Sequence, residues 1–397
     1  MPSLKKSKYN PAINCGAKYS GFTAVWKNLQ LDHHGFCKLI SGQKGGLSAK
    51  ILRSFLGGAT VLYSIAIWLR TSLYAKRLLK THCADAKVIS IGNITVGGTG
   101  KTPLVIWLYK EITENSKLKT QNYKCAILTR GYKATQNSKL KTQNYSDEPA
   151  IFLQRCPQAK VIVNPDRLAG AAEAVNKFGA EVLIMDDGFQ HWRLARDLDI
   201  VTIDATRPFG YGRLLPAGLL REPVTALGRA DAVVITRCDQ IKETDLAELE
   251  RKLQQINPNM IIAWSIHAPI CAKSTKNKEI NLESLKHKKV FVFCGIGNPQ
   301  AFLNTINMLG CNVVGSRVYD DHHYYDSDDV ASIYEQAMCG KAELILTTHK
   351  DWTKIVRLGD LGEKMPFAYL AIELKFISGE NKLRDLIEST LAGKIPE

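Results

Sequence analysis

A glycine-rich segment between a strand-like run and a helix-like run places the strongest constraint on this chain. It reads Gly-Gly-Thr-Gly-Lys-Thr-Pro-Leu over residues 97–104. The strand-like run Lys87–Ile91 precedes it, and Leu104–Tyr109 follows with helical periodicity. Glycines let successive backbone N–H groups turn toward a polyphosphate, and the N-terminus of the next helix attracts the same negative charge. The segment therefore predicts a phosphate-binding loop that opens a helix.

Two side chains of this loop have separate predicted roles. Lys101 is expected to reach the β- and γ-phosphates of a nucleotide, and the Thr102 hydroxyl to bind Mg²⁺. The general P-loop pattern has glycine where this chain has Thr95, so the generic motif is incomplete. The predicted nucleotide-binding residues are Thr95, Gly97, Gly98, Thr99, Gly100, Lys101 and Thr102.

Two adjacent carboxylates follow another apolar run. In Val182–Asp187 (VLIMDD), four apolar residues lead directly to Asp186 and Asp187. A strand in a doubly wound sheet delivers such residues to its carboxyl edge, where these sheets bind ligands. In P-loop proteins a carboxylate at this place holds Mg²⁺ directly or through water. Both residues are therefore predicted metal-site residues, and a surface turn is the alternative.

Strand-like and helix-like runs alternate along most of the chain. This alternation predicts an α/β fold with a doubly wound parallel sheet over residues 83–284 and a second, smaller α/β domain over 285–397. The alternation of strand-like and helix-like runs is less regular over 258–284. It then resumes, and the last segment is predicted to be a helical tail. A nine-residue duplication, NSKLKTQNY at 115–123 and 137–145, predicts an inserted surface loop over 115–145.

The positive charge is concentrated in the first quarter. Residues 1–110 hold 16 Lys and Arg against two acids, whereas the rest is nearly neutral. Ser54–Leu69 is uncharged and has basic residues on both sides. This combination favours a membrane-associated helix in 47–82, resting on anionic lipid, over a nucleic-acid-binding arm. A core helix is the alternative. Residues 1–46 are predicted to be a disordered basic extension, with no signal peptide.

Nine segments, taken in order, resemble one family. They are Asn93–Pro103 (NITVGGTGKTP), Thr129–Tyr132, Asp147-Glu148-Pro149, Asn164–Arg167 (NPDR), Asp186–His191 (DDGFQH), Leu214–Pro223 (LLPAGLLREP), Gly295–Pro299, Asp321-His322 and Lys350-Asp351. The series is similar to the tetraacyldisaccharide 4′-kinase (lipid A 4′-kinase) family of Gram-negative bacteria. NITVGGTGKTP and DDGFQH together are far more specific than a generic P-loop, and the family's own loop accounts for Thr95.

The resemblance implies a P-loop NTPase-like fold whose active site lies between two α/β domains. It implies transfer of the γ-phosphoryl group of ATP, with Mg²⁺, to the 4′-hydroxyl of tetraacyldisaccharide 1-phosphate, which forms lipid IVA. It also implies an N-terminal hydrophobic helix on the cytoplasmic face of the inner membrane. The expected partners are the lipid substrate and an anionic membrane surface. No nucleic acid and no obligate protein partner are expected.

Residue roles carry over by motif. The resemblance makes Asp147 the catalytic carboxylate and His322 its partner, with Lys101 on the phosphates. It makes Glu148, Arg167, Gln190 and Arg221 substrate-site candidates, with the two arginines as anion ligands. Ser146 and Leu219 stand where the family usually has Gly and Pro, and the inserted loop lies immediately before Asp147.

Two other functions compete with the kinase. One is a P-loop GTPase or metallochaperone-type ATPase that switches rather than transfers, although Thr236-Arg237-Cys238-Asp239 stands where a guanine-reading NKxD motif would be. The other is a membrane-surface nucleotide-binding protein without lipid kinase activity. ATP turnover without a phosphorylated lipid would favour the first, and absence of turnover the second.

Overall fold

The structure of the chain is a computed structural model. The structure describes residues 33–114, 123–131, 147–275, 278–359 and 365–393. Most of the duplicated insert and the first 32 residues lie outside these ranges, so the predictions made for them stay predictions.

The described elements alternate as the sequence predicts. Helices are α1 (His33–Ile40), α2 (Leu47–Ala75), α3 (Lys101–Glu114), α4 (Asp147–Arg155), α5 (Arg167–Phe178), α6 (Glu243–Ile256), α7 (Pro299–Met308), α8 (Ser327–Cys339), α9 (His349–Ile355) and α10 (Glu380–Leu391). Strands are β1 (Lys87–Gly92), β2 (Cys125–Thr129), β3 (Lys160–Val163), β4 (Val182–Asp186), β5 (Leu198–Asp204), β6 (Ala232–Thr236), β7 (Ile261–Ser274), β8 (Glu279–Ile280), β9 (Lys289–Cys294), β10 (Asn312–Val318), β11 (Leu344–Thr348) and β12 (Phe367–Ser378).

The described strands form one continuous sheet. Its order is β10-β9-β11-β12-β7-β6-β5-β1-β4-β2-β3, with β8 paired to β7. Neighbours are parallel within the β6-β5-β1-β4-β2-β3 half and within the β10-β9-β11-β12 half. The long antiparallel pair β7–β12 joins these halves, called here the nucleotide half and the C-terminal half. The order in which successive strands join the sheet reverses beside β1, and doubly wound sheets bind ligands at such switch points.

The last helix returns to the nucleotide half. Leu383, Ile387 and Leu391 of α10 are buried in one apolar cluster with Leu104 and Leu108 of α3. The predicted division at residue 285 therefore does not separate the cores, because a helix from the end of the chain completes the core of the first half.

Three local expectations differ from the structure. Residues 258–284 and the predicted helical tail contain the long strands β7 and β12. Asp147-Glu148-Pro149, whose composition alone predicts a turn, instead begins α4. Part of the predicted disordered extension is folded, because Leu39 of α1 packs with Leu56 of α2 and Ala217.

Candidate active site

A cleft of about 470 Å³ lies between the nucleotide half and the C-terminal half. Its walls come from the glycine-rich loop, the first turns of α3 and α4, the Gly295–Asn298 turn, and residues of α9 and β12. Eight Lys or Arg and five Asp or Glu side chains of the described residues line it. This excess of positive charge suits a polyphosphate ligand.

The glycine-rich loop has the conformation predicted for a phosphate cradle. Gly97 and Gly100 have φ angles of 116° and 93°, in the region that favours glycine. A Cβ on Gly100 would lie 2.7 Å from Nε2 of His267. The Thr99 hydroxyl bonds to the hydroxyl of Thr202 at 2.7 Å, which fixes the loop from behind. The loop can therefore offer its backbone to a ligand.

Of the predicted nucleotide-binding residues, all but one line this cleft. Those that do are Gly97, Gly98, Thr99, Gly100, Lys101 and Thr102. Thr95 is 5% exposed, pairs with Leu220, and lines a small cavity on the other side of the loop beside Asp204. The structure therefore places Thr95 behind the loop, where it joins the loop to the segment that carries Arg221.

The two adjacent carboxylates have opposite environments. Asp187 has a φ of 54°, and its carboxylate lies 3.3 Å from Lys101 Nζ and 2.9 Å from Arg221 Nη1. Asp186 is 2% exposed, and Thr129 donates to its Oδ2 at 3.4 Å. No residue of the described ranges donates a hydrogen bond to Asp186 Oδ1.

These environments move the two pKa values apart. Burial, reinforced by the negative charge of Glu148, raises the pKa of Asp186 above its usual range. Burial also acts on Asp187, but Lys101 and Arg221 outweigh it and hold its pKa well below the usual range. Asp187 is thus a paired anion, whereas Asp186 is a buried acid with an oxygen free for a cation. Mg²⁺ takes oxygen ligands from one or two carboxylates together with substrate phosphates, so this pair fits Mg²⁺.

The other predicted substrate-site residues surround these carboxylates. Gln190 donates to Asn93 O at 2.8 Å, at the start of the phosphate loop. Arg167 is 4% exposed and donates to the backbone oxygens of Asn164 and Asp186 at 2.9 and 3.0 Å. Arg167 therefore supports the Asp186 strand end, in addition to lining the cleft with Glu148 and Arg221.

His322 lies on the C-terminal half of the cleft. Its Nε2 is 3.1 Å from Lys350 Nζ and 4.0 Å from Asp321 Oδ1. Asp147 is the first residue of α4, but its side chain lies outside what the structure describes. The predicted pairing of Asp147 with His322 therefore stays a prediction, although Glu148, the next residue, lines the same cleft.

Several polar residues of the site were not predicted from sequence. Arg237 and Asn298 both bond to Asp204, at the end of β5. The sequence pattern could have indicated Asp204, because it ends a largely apolar strand just as Asp186 does. No sequence pattern indicates His267, since it lies in β7, a strand that the alternation of elements does not predict. Burial holds the pKa of His267 well below its usual range, so this imidazole beside the phosphate loop is neutral.

Comparisons with known proteins agree on one family. A family model described as tetraacyldisaccharide-1-P 4′-kinase matches residues 52–392. The tetraacyldisaccharide 4′-kinase of Halothermothrix orenii is 34% identical over 341 residues, which covers 80% of this chain and 87% of that protein. That of Syntrophus aciditrophicus is 36% identical over 337 residues, with the same coverage of 80% and 87%.

A solved structure supports the fold. The crystal structure of the "apo" form of LpxK from Aquifex aeolicus, in complex with ATP, superposes with a TM-score of 0.63 at 29% identity. The match covers 86% of this chain and 99% of that one. It confirms the α/β fold predicted from the alternation of elements.

Proposed function

The chain belongs to the tetraacyldisaccharide-1-P 4′-kinase family, and from this premise we propose how its cleft performs the reaction. The resemblance seen in the motifs is thereby confirmed, and the chain is a lipid A 4′-kinase that binds ATP. Family membership favours phosphoryl transfer over the switch ATPase and over the membrane-surface binding protein without kinase activity.

The observation that carries the proposal is the meeting of Lys101, Arg221 and Asp187 beside the glycine-rich loop. The loop N–H groups and Lys101 bind the β- and γ-phosphates, and the negative charge that develops during transfer is neutralised there. Mg²⁺, held by Thr102, Asp186 and Asp187 with the phosphates, would supply further charge neutralisation. Arg221 orients Asp187 through both carboxylate oxygens, each at 2.9 Å.

Asp147 acts as the general base. The 4′-hydroxyl oxygen forms a bond to the γ-phosphorus as the bond from that phosphorus to the bridging β-γ oxygen of ATP breaks, and ADP leaves. The hydroxyl proton passes to the Asp147 carboxylate, a step that typically contributes about 10²–10⁴-fold. His322, which lies beside Lys350 and Asp321, orients this base. The location of Glu148 in the cleft supports the position of Asp147 at the start of α4.

The helix α2 brings the site to its lipid substrate. By length and composition it could cross a bilayer. Leu47, Leu62 and Trp68 are 76%, 72% and 67% exposed along it. The opposite side of α2 contacts residues of the site. Tyr63 donates to Arg221 O at 2.9 Å, and Arg70 donates to Gln190 O at 3.0 Å. We propose that α2 associates with the cytoplasmic face of the inner membrane, so that an acylated sugar reaches the cleft without leaving the lipid.

The roles of Asp147 and His322 are tested by pH–rate profiles of phosphate transfer. For Asp147→Asn we expect kcat to fall by about 10²–10⁴-fold at every pH, because the proton acceptor is gone. For His322→Gln we expect a smaller loss and a displaced acid limb, because the base loses the partner that orients it. Wild-type kcat in Asp147→Asn would contradict the role of Asp147. An unchanged profile in His322→Gln would contradict that of His322.

A further inference from the structure

The turn Gly295–Asn298 connects the phosphate loop to His322. It lies between β9 and α7, and at one end it touches the loop. A Cβ on Gly297 would lie 2.6 Å from both Gly97 Cα and Gly98 N. At the other end, Gly295 O accepts from the His322 N–H at 3.3 Å. The phosphate loop and His322 must both lie near the transferred phosphoryl group. Three residues of the turn, 295–297, thus link their backbones.

The Asn298 side chain fixes this turn to the nucleotide half. It is 5% exposed, and its Nδ2 donates to Asp204 Oδ2 at 2.7 Å and to Thr206 Oγ1 at 2.9 Å. Its Oδ1 accepts from the Ala301 N–H at 3.2 Å and so caps α7. One buried amide therefore joins the end of β5, in the nucleotide half, to the first turn of α7, in the C-terminal half.

The carboxylate of Asp204 is itself held in place by hydrogen bonds. Its Oδ2 also accepts from Arg237, and its Oδ1 accepts from Thr206 N and Oγ1 at 3.0 and 2.7 Å. Both carboxylate oxygens are thus bonded, and the anion is paired with a buried guanidinium. Hydrogen bonds to charged groups are the stronger ones in proteins. The Asn298–Asp204 contact is therefore suited to hold the two sides of the cleft in register.

We propose that Asn298 is a positioning residue for phosphoryl transfer. By bonding to Asp204 it seats the Gly295–Asn298 turn on the phosphate loop, and the turn holds the His322 backbone at a fixed distance from Lys101. This inference rests on the roles proposed above for Lys101 and His322. An amide is needed here, because the position must donate to a carboxylate and accept from a backbone N–H at once. Alanine does neither, and an aspartate would bring two carboxylates together.

The first test is steady-state kinetics of phosphate transfer by Asn298→Ala. We expect kcat per folded molecule to fall about 10- to 100-fold, the equivalent of one or two hydrogen bonds to a charged group. The KM for ATP should stay near the wild-type value, because Lys101 and most of the loop belong to the nucleotide half. Asn307→Ala, an exposed substitution on the same helix, is the matched control and should behave as wild type.

An exchange of the two partners separates positioning from helix capping. Asn298→Asp alone should lower kcat most, since like charges then face each other. Asn298→Asp combined with Asp204→Asn restores one carboxylate and one amide, and should recover at least part of kcat. Gly297→Ala should lower kcat independently, because its methyl group would displace the phosphate loop.

The outcomes are distinguishable. Wild-type kcat in Asn298→Ala would overturn the inference, as would a loss explained entirely by a lower folded fraction with no recovery in the exchanged pair. If Asn298→Ala loses kcat as expected while His322→Gln is fully active, the positioning role stands and the role of His322 is wrong. If wild type and Asn307→Ala both fail to phosphorylate the lipid, the proposed function fails, and the inference with it.

Discussion

Among single residues, the opposite environments of Asp186 and Asp187 decide what the site can bind. The strand β4 ends at Asp186 and buries its side chain, whereas the left-handed backbone at Asp187 turns the next carboxylate toward two cations. A pair of adjacent acids after an apolar strand was visible in the sequence. The pairing of Asp187 with two cations, in contrast to the burial of Asp186, was not, because Arg221 comes from a loop 34 residues away.

The contact between Arg221 and Asp187 leads to a first prediction. Arg221→Ala should lower kcat/KM about 10- to 100-fold, since a hydrogen bond between charged groups that orients Asp187 is lost. Arg213→Ala, an exposed arginine that precedes the same loop, is the control and should have little effect. Equal kcat/KM in the two variants, measured with the lipid acceptor, would show that Arg221 does not act through Asp187.

His349 leads to a prediction about acid stability. Burial, together with the charges of Arg155 and Lys273, lowers the pKa of His349 from 6.5 to about 4. Between pH 6.5 and pH 4 the unfolded chain therefore binds a proton that the folded protein does not bind. As a result, the free energy of unfolding falls as pH drops through this range. Above pH 6.5 this group has no effect.

His349→Gln removes this titration and keeps a polar partner for Gln154, whose Oε1 lies 2.6 Å from the His349 ring. Between pH 7 and pH 5, urea unfolding should show a loss of stability smaller than that of wild type by on the order of 1 kcal/mol. His287→Gln, at an exposed histidine of the C-terminal half, is the control. Identical pH dependence in wild type and His349→Gln would contradict the prediction.

Among the secondary-structure elements, the strands next to the phosphate loop were predictable and those at the junction were not. β1, β4, β5 and β6 are mostly apolar and almost entirely buried, as expected for strands covered on both faces. β7 contains Pro269, which argues against a central strand. The structure accommodates it at a register shift opposite Ala371 and Ile372, so a bulge makes this strand possible.

The helix α2 leads to a prediction about membrane binding. Leu62→Glu combined with Trp68→Glu should weaken co-sedimentation with vesicles of anionic phospholipid by at least about tenfold, because two apolar side chains no longer favour the lipid. Met308→Glu changes a 62% exposed apolar residue on α7 and should leave binding unchanged. Equal weakening by Met308→Glu would mean that net charge, and not α2, controls binding.

Across the whole molecule, the cleft depends on contacts that no local pattern reveals. The motifs of both halves were recognisable in the sequence, but the bond from Asn298 to Asp204 joins residues 94 positions apart. The same holds for α10, which ends the chain and packs beside α3. The alternation of elements predicts the fold class, whereas these long-range contacts follow only from the tertiary structure.

The return of α10 leads to a prediction about stability. Ile387→Ala should lower the free energy of unfolding by about 2–5 kcal/mol, since it opens a cavity in the apolar cluster shared with α3. Lys382→Ala, exposed on the same helix, should change it little. Chemical denaturation measures the free energy of unfolding of both variants. Equal values for the two would place α10 outside the core of the nucleotide half.

The most direct test of the account is transfer of label from γ-labelled ATP to tetraacyldisaccharide 1-phosphate, in detergent with Mg²⁺. Wild type and Lys101→Ala would be compared, with the exposed Lys177→Ala as control. We predict labelled lipid with wild type and Lys177→Ala, and a loss of about 10²–10³-fold in Lys101→Ala, as when one preorganised electrostatic contact is removed. ATP hydrolysis without labelled lipid, or undiminished transfer by Lys101→Ala, would contradict the assignment of this cleft as the kinase site.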